Sequence, residues 1–273
     1  MRAVTKVLEV SRSNLVAKLK VKKHRIIKKE GDEELLKLIH EVIVERATYG
    51  YRRVTVLVND KLKKLGKSSV NRKKVYRLMK EHKLLFQKLS LKPQRSHDGK
   101  VETLHSNTRW CSDTFCIQCS NGEQVHVAFS IDTCDREVMR YIASTSGISG
   151  EVIRDLMIET MEYRLGKPQT ERSIQWLSDN GSCYTSKETV AFGKKLGLEI
   201  RTTPAYSPES NGIAEALVKT LKRDYVWLGD LKDAKTVMSQ LPKWIDDYNE
   251  RAPHKALKMR SPRAFIREQK LAS

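Results

Sequence analysis

The chain has 273 residues, enough for one large or two modest domains with a buried core. It carries 52 Lys and Arg against 33 Asp and Glu, a formal charge of +19, which points to a polyanionic partner. No apolar run reaches the ~18 residues that span a bilayer, and Met1-Arg2-Ala3-Val4-Thr5-Lys6 lacks the apolar stretch of an export signal, so no membrane association is expected.

The five cysteines, an odd number, read as reduced thiols of the cytoplasm. Cys116-x-x-Cys119 lacks the second ligand pair that a zinc site needs. The charge is uneven. Residues 1–100 hold 28 Lys and Arg against 10 Asp and Glu, while the remainder holds 24 against 23. The N-terminal third therefore reads as an arm that holds a polyanion, joined to a nearly neutral chemistry domain. A basic solubilising tail is the bland alternative.

In chain order, residues 1–29 read as a basic helical piece running into a charged linker. From Asp32, the positions of Leu35, Leu36, Ile39, Val42 and Ile43 make one helical stripe. A second helix is predicted from Arg52 to Leu65, stopped by Gly66. A third is predicted over residues 70–83, capped by Ser69. Its outer sides carry Arg72, Lys73, Lys74, Arg77 and Lys80, expected to meet phosphates rather than bases. Three short helices ending in a basic one resemble a helix-turn-helix module, here residues 30–86. Residues 87–105 read as a linker.

The period then changes. Strands are predicted over 110–117, 125–132 and 138–143, with a turn at Asn121-Gly122. A helix follows over 149–165, then a strand over 174–177, a helix over 187–196 and a strand over 198–201. A helix starting at Ser207 or Pro208 is expected to reach about Trp227, and another spans 233–251. Periodicity alone gives a mixed α/β domain over residues 106–273.

Three carboxylates stand out. Asp113 sits mid-strand, where aspartate is disfavoured. Asp179 ends a short strand before an Asn180-Gly181 turn, and Glu215 lies 35 intervening residues later in a helix. Oxygen-only donors of this kind suit hard divalent ions. Taken singly, each acid has an ordinary reading as a turn or a surface ion pair. Lys219 and Lys222 share a helix side with Glu215 and could hold a phosphate as point charges. The loop from Thr203 to Gly212, with Asn211, reads as a mobile segment able to meet DNA. Asp132 reads as a neighbour supporting the site, and Asp135 and Arg136 as turn residues.

The segments WCSDTF, IDTCDRE, WLSDNGSCY, SPESNGIAEALVKTLKRDY and YNERAPHKAL…SPRAF resemble the integrase core of bacterial insertion-sequence transposases, specifically the OrfB-type proteins of the insertion-sequence-three family. YGYRRVT and VNRKKVYRLMKEHKLL resemble the helix-turn-helix segment before that core. The resemblance implies a ribonuclease-H-like mixed sheet flanked by helices. It also implies two Mg²⁺ ions, with Mn²⁺ as a substitute: Asp113 would bridge both, Asp179 would ligate one and Glu215 the other. Lys222 would contact the transposon end. Expected partners are double-stranded DNA, further copies of the chain on that DNA, and an upstream-frame protein joined by frameshifting; the expected place is the nucleoid. A non-catalytic DNA-binding regulator and a ribonuclease-H-type nuclease remain the alternatives.

Overall fold

The computed structural model describes residues 31–86, 103–170, 173–203 and 211–272. The expected basic piece at 1–29, most of the linker at 87–105 and the start of the Glu215 helix at Ser207 or Pro208 lie outside them.

The first three helices are α1 (Asp32–Glu45), α2 (Tyr51–Lys64) and α3 (Arg72–Glu81). They bury Leu35, Ile39, Val42, Val54, Val58, Val75 and Met79 in a core of their own. Leu38 replaces Leu36 on the buried stripe of α1. Helix α3 starts two residues later than predicted. Asn71, not Ser69, caps it, because the Asn71 side chain accepts from Lys73 N at 2.9 Å.

The larger unit is a five-stranded sheet of order β3-β2-β1-β4-β5. Its strands are β1 (Arg109–Gln118), β2 (Gln124–Asp132), β3 (Val138–Ser144), β4 (Ile174–Ser178) and β5 (Leu198–Thr202). β1 pairs antiparallel with β2 and β2 with β3, whereas β4 runs parallel to both β1 and β5. The intervening helices are α4 (Gly150–Leu165), α5 (Ser182–Thr185), α6 (Lys187–Lys195), α7 (Gly212–Asp224), α8 (Ala234–Glu250) and α9 (Pro262–Ala272). Helix α7 ends at Asp224, short of the expected Trp227, and a 3₁₀ turn at Val226–Leu228 follows. The single turn α5 and helix α9 were not predicted, although Pro262 at the start of α9 is a favoured first helical residue.

Each strand alternates its side chains between two apolar layers. Cys111, Phe115, Phe129 and Leu177 pack with Ala214, Leu217 and Leu221 of α7 and with Val237 and Leu241 of α8. Trp110, Ala128, Ile174 and Trp176 pack on the opposite side with Ile153, Leu156 and Met157 of α4. Asn249 fastens α8 to the sheet edge: its carboxamide accepts from Val138 N and donates to Val138 O, both at 2.9 Å.

The helical module docks on the far end of α7 and on α8. Asp224, nearly inaccessible, accepts from Arg53 at 2.7 Å and Thr48 at 2.5 Å, and Arg223 closes on it from the same helix. Burial raises the Asp224 carboxyl, but these three donors outweigh it and hold it below the usual aspartate range. Asp247 of α8 accepts from Arg46 and from the Tyr225 hydroxyl at 2.8 Å.

Candidate active site

Strand register brings the two aspartates together. Cys111 is opposite Leu177 on the neighbouring parallel strand, and both face the α7 layer. Asp113 lies two residues further along β1, and Asp179 two residues further along the neighbouring chain, just past the end of β4, so both follow that row. Helix α7 lies across the same face. Asn211, its N-cap, donates from Nδ2 to Ser112 O at 3.4 Å, which ties the start of α7 to the residue before Asp113. Glu215 follows in the first turn of α7.

The electrostatics agree with this convergence. Burial pushes the Asp113 carboxyl up to about 6, and the charges of Asp179 and Glu215 push it in the same direction, against the Thr114 N–H that donates to it at 2.7 Å. Asp179 Oδ1 accepts from Gly181 N at 3.1 Å. Beside it, the Asn180 carboxamide donates to Thr203 O at 2.9 Å, fixing the turn against the end of β5. The Glu215 carboxylate is turned to Lys219, 3.3 Å away. Each acid thus rests on a local donor, and among the described residues no three His, Cys, Asp or Glu side chains are closed into a metal-holding group. Three neighbouring oxygen donors, one with its proton affinity raised by burial and further by the other two, are the donor type that suits a divalent cation.

The remaining expected site residues divide. Lys222 sits with Nζ 6.0 Å from the centre of the Phe115 ring, and Phe115 is the next residue after Asp113 on the same strand face. Lys219 is exposed beside Glu215. Asn211, expected to meet DNA, is 4% exposed and engaged with β1, and its Oδ1 has no partner among the described residues. On α3, Arg72, Lys73 and Lys80 are exposed. Lys74 and Arg77 instead reach the buried Asp32 of α1 at 3.4 and 2.7 Å, and Arg77 also pairs with Glu81.

Asp132 does not support this site. It faces Trp110, whose indole N–H donates to it at 3.2 Å on the opposite side of the sheet, and it shares Arg164 of α4 with Asp135 and Glu137. Asp135, read as a turn residue, is fully buried in that cluster. The alternation of β2 relative to β1 carries the signal, but it requires the register. The docking residues Arg46, Arg53, Asp224 and Asp247 also went unread, because no short-range pattern marks contacts made across 171 to 201 residues.

The InsD transposase of insertion element IS2 from Escherichia coli is 43% identical to this chain over 239 residues, covering 87% of this chain and 79% of its own length. The chain belongs to the OrfB-type transposases of the insertion-sequence-three family. The transposase matches the HTH-like domain over residues 30–88 and the integrase core domain over 104–208 and again over 196–262. InsD of IS2-9 from Escherichia coli K12 matches it equally, over 78% of that protein. Among solved structures, the intasome of simian T-cell lymphotropic virus in complex with PP2A regulatory subunit B56 gamma overlays with a TM-score of 0.50 at 16% identity, over 85% of this transposase and 73% of that chain; it shows the shared integrase-type fold. The transposase is therefore a DNA-binding polynucleotidyl transferase of a family that works with divalent metal ions. Among its described residues, no helix is long and apolar enough to cross a membrane.

Proposed function

We propose that Asp113, Asp179 and Glu215 are the catalytic acids and hold two Mg²⁺ ions, replaceable by Mn²⁺, for cleavage and strand transfer at insertion-sequence ends. The observation that carries this reading is that Asp113 on β1 and Asp179 just past the neighbouring end of β4 lie under the helix of Glu215, with both other charges felt at Asp113. When bound, such an ion pair stabilises the attacking and leaving oxygens of an in-line displacement.

The chain's own groups do the positioning. The Thr114 and Gly181 N–H groups orient Asp113 and Asp179. Asn211 pins α7 so that Glu215 overlooks them. Glu215, paired with Lys219 in the absence of ions, would help to hold them when bound, and Lys219 would then stand beside Lys222 as a second phosphate-holding cation. Exposed Arg72, Lys73 and Lys80 supply backbone contacts to double-stranded DNA. We extend the proposal to a division into a DNA-binding module at 30–86 and a catalytic core at 106–273, to several copies on DNA, since two ends must be joined, and to fusion with or binding to an upstream-frame protein in the cytoplasm.

The test uses labelled element-end duplexes with Mg²⁺ or Mn²⁺. The parent protein, alone or fused to the upstream frame, should nick the end and join the freed 3′-hydroxyl. Asp113→Asn, Asp179→Asn and Glu215→Gln should each lose both steps while still binding DNA. Joining that survives any of the three substitutions overturns the assignment.

A further inference from the structure

A cleft of about 720 Å³ opens where the helical module meets the core. Its walls come from four places in the sequence: Tyr51 and Arg52 at the start of α2, Tyr76 on α3, Thr220 and Arg223 on α7, and the segment after α8 that includes Lys255. Among the described residues, no Asp or Glu lines it. Arg53 and Arg223 are neutralised from behind by Asp224. Arg52 and Lys255 are exposed and have no carboxylate partner among the described residues; Arg52 only lies over the Tyr51 ring and donates to its hydroxyl at 3.2 Å. Helix α2 begins at Gly50 with no side-chain cap and no acid in its first turn, so its N–H groups add positive potential to the same wall. Tyr76 stands edge-on to Tyr51, ring centres 4.9 Å apart, and remains 40% exposed.

We propose that this cleft is a second DNA subsite: Arg52 and Lys255 grip the backbone of one strand, and Tyr76 stacks an unpaired base of it. Unbalanced cations beside an exposed aromatic face are the chemistry that holds single-stranded nucleic acid. A paired duplex offers its phosphates to the cations but no free base face to Tyr76. The subsite rests on the transposase reading above, and α7 sets its distance from the chemistry. Thr220 and Arg223 follow Glu215 by five and eight residues, about 8–12 Å along the helix. At ~3.4 Å per nucleotide that is roughly two to four nucleotides from the scissile phosphate.

The experiment measures binding of the full chain to fluorescent duplexes of arbitrary sequence in EDTA, either fully paired or with about four unpaired nucleotides at one end. Arg52→Ala/Lys255→Ala should flatten the dependence of log affinity on log salt by about 1.4–1.8, the loss of two phosphate contacts. Tyr76→Ala should weaken the unpaired probe about tenfold and the paired probe less than twofold. An unchanged salt slope, or a Tyr76→Ala effect equal on both probes, overturns the subsite. These substitutions lie on the exposed rim, and melting curves check that each variant is folded. No metal is present, so failure here leaves the catalytic assignment standing, and a failure of the Asp113→Asn test leaves these binding results interpretable.

Discussion

Arg46 grips Asp247 through two hydrogen bonds, Nη1 to Oδ2 at 2.7 Å and Nη2 to Oδ1 at 2.5 Å, across 201 residues of sequence. The fork geometry makes the pair directional, and both side chains are about 15% exposed. It joins the loop after α1 to α8, so it holds the helical module to the catalytic core.

Removing one partner strands the other. Asp247→Ala leaves the Arg46 guanidinium and the Tyr225 hydroxyl without their acceptor, and should cost about 3 kcal/mol. Urea unfolding of the variant should show a lowered midpoint, and limited proteolysis should separate the module from the core sooner. A midpoint equal to that of the parent would mean that the two units are held by other contacts.

Asp113 resists ionisation where it stands. A raised carboxyl pKa means that its charge opposes folding above about pH 6, and that the folded state gains stability as pH falls through that value toward the unfolded pKa near 4. Asp113→Asn should therefore raise the melting temperature in EDTA at pH 7.5 by a few degrees while abolishing cleavage. A drop in melting temperature would contradict the picture of a buried carboxylate crowded by like charges.

His254 behaves in the opposite direction. Burial lowers its pKa to about 4, with Arg53 and Arg136 adding to the effect and the Tyr248 backbone opposing it. Its ring packs edge-on to Tyr248, centres 4.6 Å apart. The unfolded chain takes up a proton near pH 6.5 and the folded one does not until about pH 4, so stability is full above 6.5 and is lost across that window. The loss approaches about 3 kcal/mol. Chemical denaturation at pH 7.5 and 4.5 should display it, and His254→Gln should remove most of the difference between the two.

Lys219 and Lys222 should differ in what their loss does. The Glu215–Lys219 pair is a surface i,i+4 contact, so Lys219→Ala should change stability by no more than about 0.5 kcal/mol. Because it also frees Glu215, Mn²⁺ binding followed by water relaxation should be at least as tight as in the parent. Lys222→Ala should reduce the salt slope of DNA binding by about one. Weaker Mn²⁺ binding in Lys219→Ala would argue that the lysine assists the acids.

Local pattern marked out the three candidate acids and said little about their surroundings. Asp113 announces itself as a charged residue inside an apolar strand, Asp179 by its Asn-Gly turn, and the five strands by alternation and turn chemistry. All five strands lie within a residue of where alternation puts them at each end. What stayed hidden depends on side chains meeting over long separations. Asp132 and Asp113 sit on strands that both alternate, and only the pairing Trp110 opposite Asp132 reveals that they face opposite layers. Asn211 looked like an exposed loop residue because nothing nearby in sequence tells that β1 lies behind it. Lys74 and Arg77 looked like free charge because Asp32 precedes them by more than forty residues.

Helix α7 carries Glu215 in its first turn and ends at Asp224, the residue that Arg53 and Thr48 seize. Nine residues of rigid helix, about 13 Å, separate the two. An engineered chimera that imports a foreign recognition module without counterparts of Thr48 and Arg53 would uncover a sunken carboxylate at one tip of that rod and misalign Glu215 at the other. Targeting and turnover are in this sense mechanically linked, and the two halves of such an enzyme are best exchanged together with the surface that joins them.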